Sequence, residues 1–267
     1  MKKRFLASLV LLASLGSYGN AMAIVDLKTT DLQLSGTAHG IAGDVIRLTD
    51  AATWSTGTAF STKTVNDSNF SAAFQYQFSG GTGFADGIAF VIKNADSVTG
   101  ANGGGMGYLN TPKSVAVEFD TWYNSENNDP ATKANHVGID INGSVNSVAI
   151  LEVSPQFNGS GKWYAWVDYS GGILSVSTNR TGIKPGTSML SKAIDIPNII
   201  GSSNALVGFT AATGTKYQNQ DITAFQYDGN PAPVPEPSTY ALMGIGGILA
   251  AARLRKNGLK AAPQCQL

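Results

Sequence analysis

The chain has 267 residues, of which 43% are hydrophobic and 13% are charged, and its formal net charge at pH 7 is zero. This neutrality hides an asymmetry, because seven of the 18 basic residues but only one of the 18 acidic residues lie outside residues 24–229. The central segment therefore carries 11 basic and 17 acidic side chains, a net charge of −6. An acidic segment without a basic patch argues against nucleic acid as a partner.

The first 23 residues have the pattern of a secretory signal peptide. Basic residues at positions 2–4 precede an apolar core from Phe5 to Leu15, and the small-residue site Ala21-Met22-Ala23 follows. We expect residues 1–23 to be removed on export, with a buried N-terminal helix as the alternative. The single cysteine, Cys265, lies near the C-terminus, so residues 24–229 have no disulfide and depend on their core and on any bound metal.

Residues 24–229 show the pattern of many short strands. Apolar or alternating runs are broken by Gly, Asn, Ser and Asp, and no sustained helical periodicity is seen. The predicted strands cover 45–49, 69–78, 86–93, 115–122, 136–141, 148–153, 163–169, 173–178, 206–212 and 222–227. A helical turn is expected only within 188–194 or 196–200. These elements predict an all-β fold, an antiparallel β-sandwich of two packed sheets.

Carboxylates, amides and a histidine gather in one predicted pair of strands and the loop between them. Side chains alternate between the two faces of a strand, so Glu118 and Asp120 point to the same side. Adjacent, partly buried carboxylates need a positive charge to offset them, and no Lys or Arg lies between positions 113 and 133. The loop adds oxygen-bearing side chains at Asn124, Asn127, Asn128 and Asp129. Oxygen ligands suit Ca²⁺, and an imidazole from His136 suits a transition ion such as Mn²⁺, whereas the alternative is a solvated acidic loop.

The spacing in this segment resembles the metal-binding segment of legume-type (L-type) lectins, the concanavalin A-like family. The residues that carry the resemblance are Glu118, Asp120, Trp122, Asn124, Asp129, Pro130, His136 and Ser147. The resemblance implies a concanavalin A-like jelly roll with two ions. It implies a transition metal ion, Mn²⁺, bound by Glu118, Asp120, Asp129 and His136, with Ser147 acting through water. It implies Ca²⁺ bound by Asp120, Asn124, Asp129 and the backbone carbonyl of Trp122.

Two further motifs extend the resemblance to a carbohydrate-binding site. The run Ala85-Asp86-Gly87-Ile88-Ala89-Phe90 resembles the ADGxAF strand of the family, in which the Asp accepts hydrogen bonds from sugar hydroxyls and the Ala–Asp bond is often cis. The run from Gly103 to Gly107 resembles a glycine-rich loop whose amide donates to the sugar. We assign that amide to Gly104, with Gly105 as the alternative register. A flexible hairpin loop without a binding role is the other interpretation.

Three more positions complete the expected sugar site. The resemblance gives Asn124 a second role, because its amide nitrogen contacts the sugar while its oxygen contacts Ca²⁺. Trp122 would offer a ring face to the C–H groups of the sugar, unless it is only part of the core. The loop after Gly214, which contains Thr215 and Lys216, is expected to set the sugar specificity.

The C-terminal part of the chain contains a second targeting signal. A Pro-rich linker, 230–239, includes Pro235-Glu236-Pro237, and an apolar segment with a basic end follows at 240–256. The apolar run is shorter than the ~20 residues of a usual transmembrane helix, so it spans with help from flanking residues or serves as a transient anchor. The basic end fits the positive-inside rule, which makes 257–267 a cytoplasmic tail.

The C-terminal segment resembles a PEP-CTERM sorting tail, because the Pro-Glu-Pro triplet, the apolar run and the basic end follow one another in this order. The resemblance implies a Gram-negative bacterium and an exosortase-type sorting protease as a partner. It also implies export across the inner membrane to the cell surface, the outer membrane or the extracellular matrix.

The combined features predict a secreted or surface-anchored, metal-dependent lectin that binds a glycan or exopolysaccharide in a biofilm matrix, and not an enzyme. A structural matrix protein with a lectin-like fold and no sugar binding is an open alternative. A concanavalin A-like glycosidase is less favoured, because the third carboxylate of an ExDxxE or ExDxE pattern is replaced by Trp122 or Tyr123. A homodimer is also considered, since related lectins often pair their flat back sheets.

Overall fold

The computed structural model describes residues 32–97, 100–130, 135–157, 159 and 161–229. The predicted signal peptide, linker, sorting segment and tail lie outside the described residues. Within the described part of the chain, no helix combines the length and the apolar character needed to cross a membrane.

The described residues form two antiparallel sheets. In spatial order, the eight-stranded sheet contains β1 (Leu32–Gly36), β4 (Thr56–Ser61), β14 (Asn204–Ala212), β7 (Gly87–Lys93), β8 (Ser114–Asp120), β9 (His136–Ile141) and β10 (Ala149–Glu152), with β5 (Val65–Asn66) beside β14. The seven-stranded sheet contains β13 (Leu190–Ala193), β12 (Ile173–Asn179), β11 (Trp163–Ser170), β6 (Phe70–Thr82), β15 (Tyr217–Asp228), β3 (Val45–Thr49) and β2 (His39–Ile41). This architecture confirms the predicted β-sandwich.

A short α-helix lies between β13 of one sheet and β14 of the other. Helix α1 (Ile196–Ile200) begins after Asp195, whose carboxylate accepts a hydrogen bond from the Asn198 backbone N–H at 3.1 Å. This N-cap satisfies one of the amide groups left free at a helix start. The structure therefore selects 196–200 from the two predicted helical segments, while β13 lies within the other.

Aromatic side chains fill the space between the sheets. Strand β6 alternates, so Phe70, Phe74, Tyr76 and Phe78 all face the core. The ring of Phe74 lies 5.5 Å from that of Phe119 on β8, in an edge-to-face arrangement. Buried aromatic rings contribute large apolar areas, so contacts of this kind hold the two sheets together. Because Phe119 faces the core, its neighbours on β8 must face the other side of the sheet.

The strand register determines which side chains meet on that other side. Across β8 and β9, Asp120 pairs with His136 and Glu118 pairs with Gly138. Across β7 and β8, Gly87 pairs with Asp120, which brings the preceding residue, Asp86, to the same end of the sheet. Three neighbouring strands thus place acids and an imidazole in one region.

Candidate functional site

Three buried ligand-type side chains converge at the adjoining ends of β8 and β9. Glu118, Asp120 and His136 each place one donor atom within 4.8 Å of the others. The imidazole Nε2 of His136 lies 3.0 Å from Glu118 Oε1 and 3.9 Å from Asp129 Oδ1. The predicted residues Glu118, Asp120, Asp129 and His136 are therefore brought together, and we call them the acid cluster.

Backbone hydrogen bonds fold the loop after β8 back onto the acid cluster. The Trp122 N–H donates to Asp120 Oδ1 at 2.6 Å, and the Asn124 N–H donates to Asp129 Oδ2 at 2.6 Å. A 3₁₀ turn, Ser125–Asn127, and a left-handed Asn128 (φ 65°) reverse the chain between these contacts. These hydrogen bonds from the loop hold the carboxylates of Asp120 and Asp129 in position.

Ser147 also reaches the cluster from the loop after β9. Its hydroxyl donates to Glu118 Oε1 at 2.9 Å. The space for this contact exists because Gly138 has no side chain: a Cβ there would overlap both Ser147 Oγ and Glu118 Oε1. The structure places Ser147 beside a cluster residue, and its contact with an ion through water stays a prediction.

Two buried residues next to Glu118, Tyr108 and Asp140, were missed by the sequence reasoning. The hydroxyl of Tyr108 lies 2.7 Å from Glu118 Oε2 and 3.1 Å from Asp140 Oδ2. Asp140 is fully buried, and burial together with the nearby charge of Glu118 raises its pKa well above the ordinary value. The alternation of β9 offered a signal for Asp140, since it lies on the same face as His136, but nothing local pointed to Tyr108.

The charges in the acid cluster favour a bound cation. Burial, and then the negative charges of Glu118 and Asp129, raise the pKa of Asp120 well above its ordinary value. Among the described residues, neither Lys nor Arg forms an ion pair with the cluster acids. Asn124 Oδ1 and His136 Nδ1 are also buried without a hydrogen-bond partner in the described structure. Carboxylate, amide and imidazole donors of this kind fit Ca²⁺ and a transition ion.

A small cavity beside the acid cluster gathers the predicted sugar-binding residues. Its volume is about 200 Å³. Its lining comprises Trp54, Ala85, Asp86, Gly103, Gly104, Trp122, Asn124, Gly214, Thr215 and Lys216. Of the expected residues, Gly105 is not part of the lining, because its missing side chain would point toward Ala101 and Leu109. We call this space the Asp86 cavity.

The main chain of Asp86 is held firmly at the base of the cavity. Its carbonyl accepts from both the N–H and the hydroxyl of Thr121, each at 2.9 Å, and its N–H donates to the Ala212 carbonyl at 3.0 Å. The Ala85–Asp86 peptide bond is cis, as the family resemblance implied. Burial raises the pKa of Asp86 to about 7, although the Gly214 N–H partly opposes this shift. Its Oδ2 atom is buried without a hydrogen-bond partner among the described residues.

Gly104 and Asn124 meet across the cavity. A Cβ at position 104 would lie 2.9 Å from Asn124 Oδ1, so a larger residue would displace the Asn124 side chain. Trp54 is a further lining residue, which the sequence did not predict because it lies outside the family motifs. Larger grooves of about 470 and 390 Å³ lie on the outer faces of the sheets, but neither includes a member of the acid cluster.

Two family models match segments of the chain. The chain matches the family model of the legume lectin domain over residues 24–242 and that of the PEP-CTERM protein-sorting motif over residues 233–256. The L-type lectin-domain containing receptor kinase I.8 of Arabidopsis thaliana is 31% identical over 233 residues, which cover 76% of this chain and 34% of that protein. The chain thus spans about a third of the length of this curated relative.

Solved structures show the same fold. A lectin from Bauhinia forficata in complex with GalNAc is 25% identical, with a TM-score of 0.66 over 78% of this chain and 100% of that one. The winged bean acidic lectin complexed with methyl-α-D-galactose is 25% identical, with a TM-score of 0.65 over 77% of this chain and 98% of that one. The family model covers most of the chain, and the chain therefore belongs to the legume lectin domain family and carries a PEP-CTERM sorting motif.

Proposed function

We propose that this domain binds a neutral glycan in the Asp86 cavity, and that cations at the acid cluster hold the sugar-contacting loop in place. The observation that carries the proposal is the position of Asn124. Its backbone N–H donates to Asp129 in the acid cluster, while its side chain faces Gly104 in the cavity. The same residue therefore belongs to both sites.

The cavity offers the groups that a sugar ring requires. Sugars are neutral and well hydrated, so binding depends on paired hydrogen bonds of fixed geometry. Asp86 Oδ2 is a buried acceptor, the Gly104 N–H is the proposed donor, and the Asn124 amide supplies a further donor. Trp122 adds an aromatic surface for the C–H groups of the sugar. Two related lectins were solved with GalNAc or methyl-α-D-galactose, which supports a hexose or N-acetylhexosamine as the bound ring.

The acid cluster is the proposed cation site. Glu118, Asp120, Asp129 and His136 would hold a transition ion such as Mn²⁺, with Ser147 nearby. Asp120, Asn124, Asp129 and the Trp122 carbonyl would hold Ca²⁺. When bound, the ions supply positive charge that offsets the buried carboxylates. A loop ordered before the sugar arrives loses less conformational freedom on binding, so affinity rises.

A glycosidase is disfavoured by the surroundings of the paired carboxylates. Glu118 has a neighbouring acid in Asp140, but Asp140 is fully buried and neither acid lines the Asp86 cavity. Two catalytic carboxylates must flank an accessible glycosidic bond, about 5–9.5 Å apart according to mechanism. We therefore propose binding without hydrolysis.

The sorting motif supports the proposal that the domain binds its glycan outside the cytoplasm. We infer that an exosortase-type protease processes the C-terminal segment, and that the domain reaches the surface or matrix of a Gram-negative bacterium. There it would associate with exopolysaccharide.

A glycan array tests the proposal. Protein supplied with Ca²⁺ and Mn²⁺ should bind a subset of glycans, and Asp86→Ala should abolish that binding without lowering cation affinity. Asp168→Ala, on the seven-stranded sheet, is the matched control, because its partners are Ser71 and Lys184, far from the cavity. Unchanged glycan binding by Asp86→Ala would contradict the Asp86 cavity as the binding site, and absence of glycan binding by the wild-type protein would favour the structural matrix protein instead.

A further inference from the structure

Trp54 is an exposed aromatic residue at the rim of the Asp86 cavity. It lies in the loop between β3 and β4, and 60% of its surface is exposed. Within the described ranges no other aromatic residue is as exposed, the next being Tyr123 at 40%. Single exposed apolar residues are common, so exposure alone would carry no conclusion. Trp54 differs from such residues in the way its backbone is held.

The backbone of Trp54 has a conformation that bulky residues rarely adopt. Its φ angle is 55°, in the left-handed region, where a bulky side chain is a true outlier. Such conformations persist only where the surroundings impose them, and they cluster at binding sites. Here the Trp54 N–H donates to the Gly214 carbonyl at 3.0 Å.

Neighbouring contacts tie this loop to the proposed specificity loop. The Ser55 N–H donates to Thr213 Oγ1 at 2.9 Å, and the Thr213 N–H donates back to the Ser55 carbonyl at 2.9 Å. Thr213 Oγ1 also donates to the Ala52 carbonyl at 2.7 Å. The main chain on both sides of Trp54 is therefore fixed to the segment that leads into Thr215 and Lys216. These contacts fix the backbone around Trp54, while most of its side chain stays open to solvent.

The size and charge of the cavity indicate what the ring would contact. At about 200 Å³, the Asp86 cavity is smaller than the ~300–1,000 Å³ of pockets that enclose a drug-sized ligand. It suits one sugar ring, so a second ring would lie at the rim. The lining contains one acid, Asp86, and one base, Lys216, which matches a neutral ligand. An indole surface is a suitable contact for the apolar face of a pyranose.

We propose that Trp54 forms a second sugar subsite, and that the ligand is a neutral oligosaccharide or polysaccharide of at least two rings. The first ring occupies the Asp86 cavity and the next ring stacks on Trp54. This inference rests on the proposed function, since it extends the same site. It predicts a preference for longer glycans, as opposed to recognition of one terminal sugar.

An array with graded chain length tests the subsite. It would present each common hexose and N-acetylhexosamine as a one-ring glycoside and as its two- to four-ring oligomers. Wild-type protein should bind the best two-ring glycan about tenfold more tightly than the matching one-ring glycoside. Trp54→Gly removes the ring and accepts the left-handed backbone, so it should fold normally. This variant should lose the preference, so that its affinities for the one-ring and two-ring glycans become equal, whereas Trp54→Phe should keep part of the preference.

Two other results would overturn the inference. If Trp54→Gly keeps the full preference for two rings while one-ring binding persists, the subsite is refuted and the proposed function stands. If the wild-type protein binds no glycan of any length, both proposals are refuted. Ile183→Ala serves as the control for loss of an exposed apolar side chain, because Ile183 is 75% exposed and lies outside the cavity lining.

Discussion

Glu118 occupies space that Gly138 leaves free. The two residues pair across β8 and β9, and a Cβ on residue 138 would overlap the Glu118 carboxylate. The same Cβ would overlap the Ser147 hydroxyl, which donates to Glu118 at 2.9 Å. A glycine at this position therefore permits the observed packing of the acid cluster.

Gly138→Ala should weaken cation binding by about 10–100-fold, the range seen when residues behind metal ligands are changed. The added methyl group must displace Glu118 or Ser147, so the cluster loses its geometry. Isothermal titration of metal-stripped protein with Mn²⁺ and Ca²⁺ would measure the effect. Gly186→Ala is the control, because a Cβ there meets no atom within 4 Å. Equal affinities in the two variants would contradict this prediction.

Tyr108→Phe should destabilise the domain by about 1–3 kcal/mol, because it leaves Glu118 Oε2 buried without its donor. The effect should persist with saturating cations, since Tyr108 contacts Glu118 but is not one of the proposed cation ligands. Thermal unfolding in Mn²⁺ and Ca²⁺ would measure it. Tyr123→Phe removes a hydroxyl from a side chain that is 40% exposed and should change little. A similar loss in both variants would argue against a specific role for Tyr108.

The acid cluster was predictable because its residues are close in the sequence. Strand alternation placed Glu118 and Asp120 on one face, and the start of β9 opposite them brought in His136. The structure adds the register, in which Asp120 and His136 are direct partners. Roles as metal ligands remain predictions.

The missed features depend on contacts between distant parts of the chain. Strand β4 (Thr56–Ser61) contains Gly and Thr rather than an alternating apolar pattern, yet it lies inside the sheet between β1 and β14. Trp54 reaches the cavity only because its loop bonds to Gly214, 160 residues later in the chain. Local patterns report which residues are apolar, but they do not report which distant strand ends meet.

Cation removal should lower both stability and glycan binding. Without bound ions, the buried carboxylates of the acid cluster repel each other, and the Asn124 loop loses an anchor. A cation present at about 100 times its dissociation constant stabilises the fold by about 2.7 kcal/mol for each site that it fills. For a domain of this size, EDTA should therefore lower Tm by roughly 5–11 °C for each ion that it removes.

The control for cation removal is a variant that lacks a ligand. Asp120→Asn should show a much smaller Tm difference between Ca²⁺ with Mn²⁺ and EDTA. Wild-type glycan binding should fall in EDTA and return when the ions are restored. Array binding that survives EDTA dialysis unchanged would show that the sugar site does not need the cluster.

Asp67 should make the fold less stable as the pH rises. It is fully buried, and neither carboxylate oxygen has a hydrogen-bond partner among the described residues. Burial raises its pKa from 3.8 to about 6. Burial also raises the pKa of Tyr227, and the charge of Asp67 adds to that shift. A raised pKa means that the folded state holds the proton more tightly, so this stability is full below pH 3.8 and is lost as the pH passes through about 6.

Asp67→Asn removes this titration while it keeps the size of the side chain. The variant should match wild type near pH 4 and become more stable above pH 6, by roughly 1–2 kcal/mol after allowance for screening by solvent. Chemical denaturation at pH 4, 5, 6 and 8 would trace the difference. Asp96→Asn, at an exposed carboxylate, should show no such pH-dependent gain. A constant difference at every pH would mean that the Asp67 charge is compensated in the folded protein.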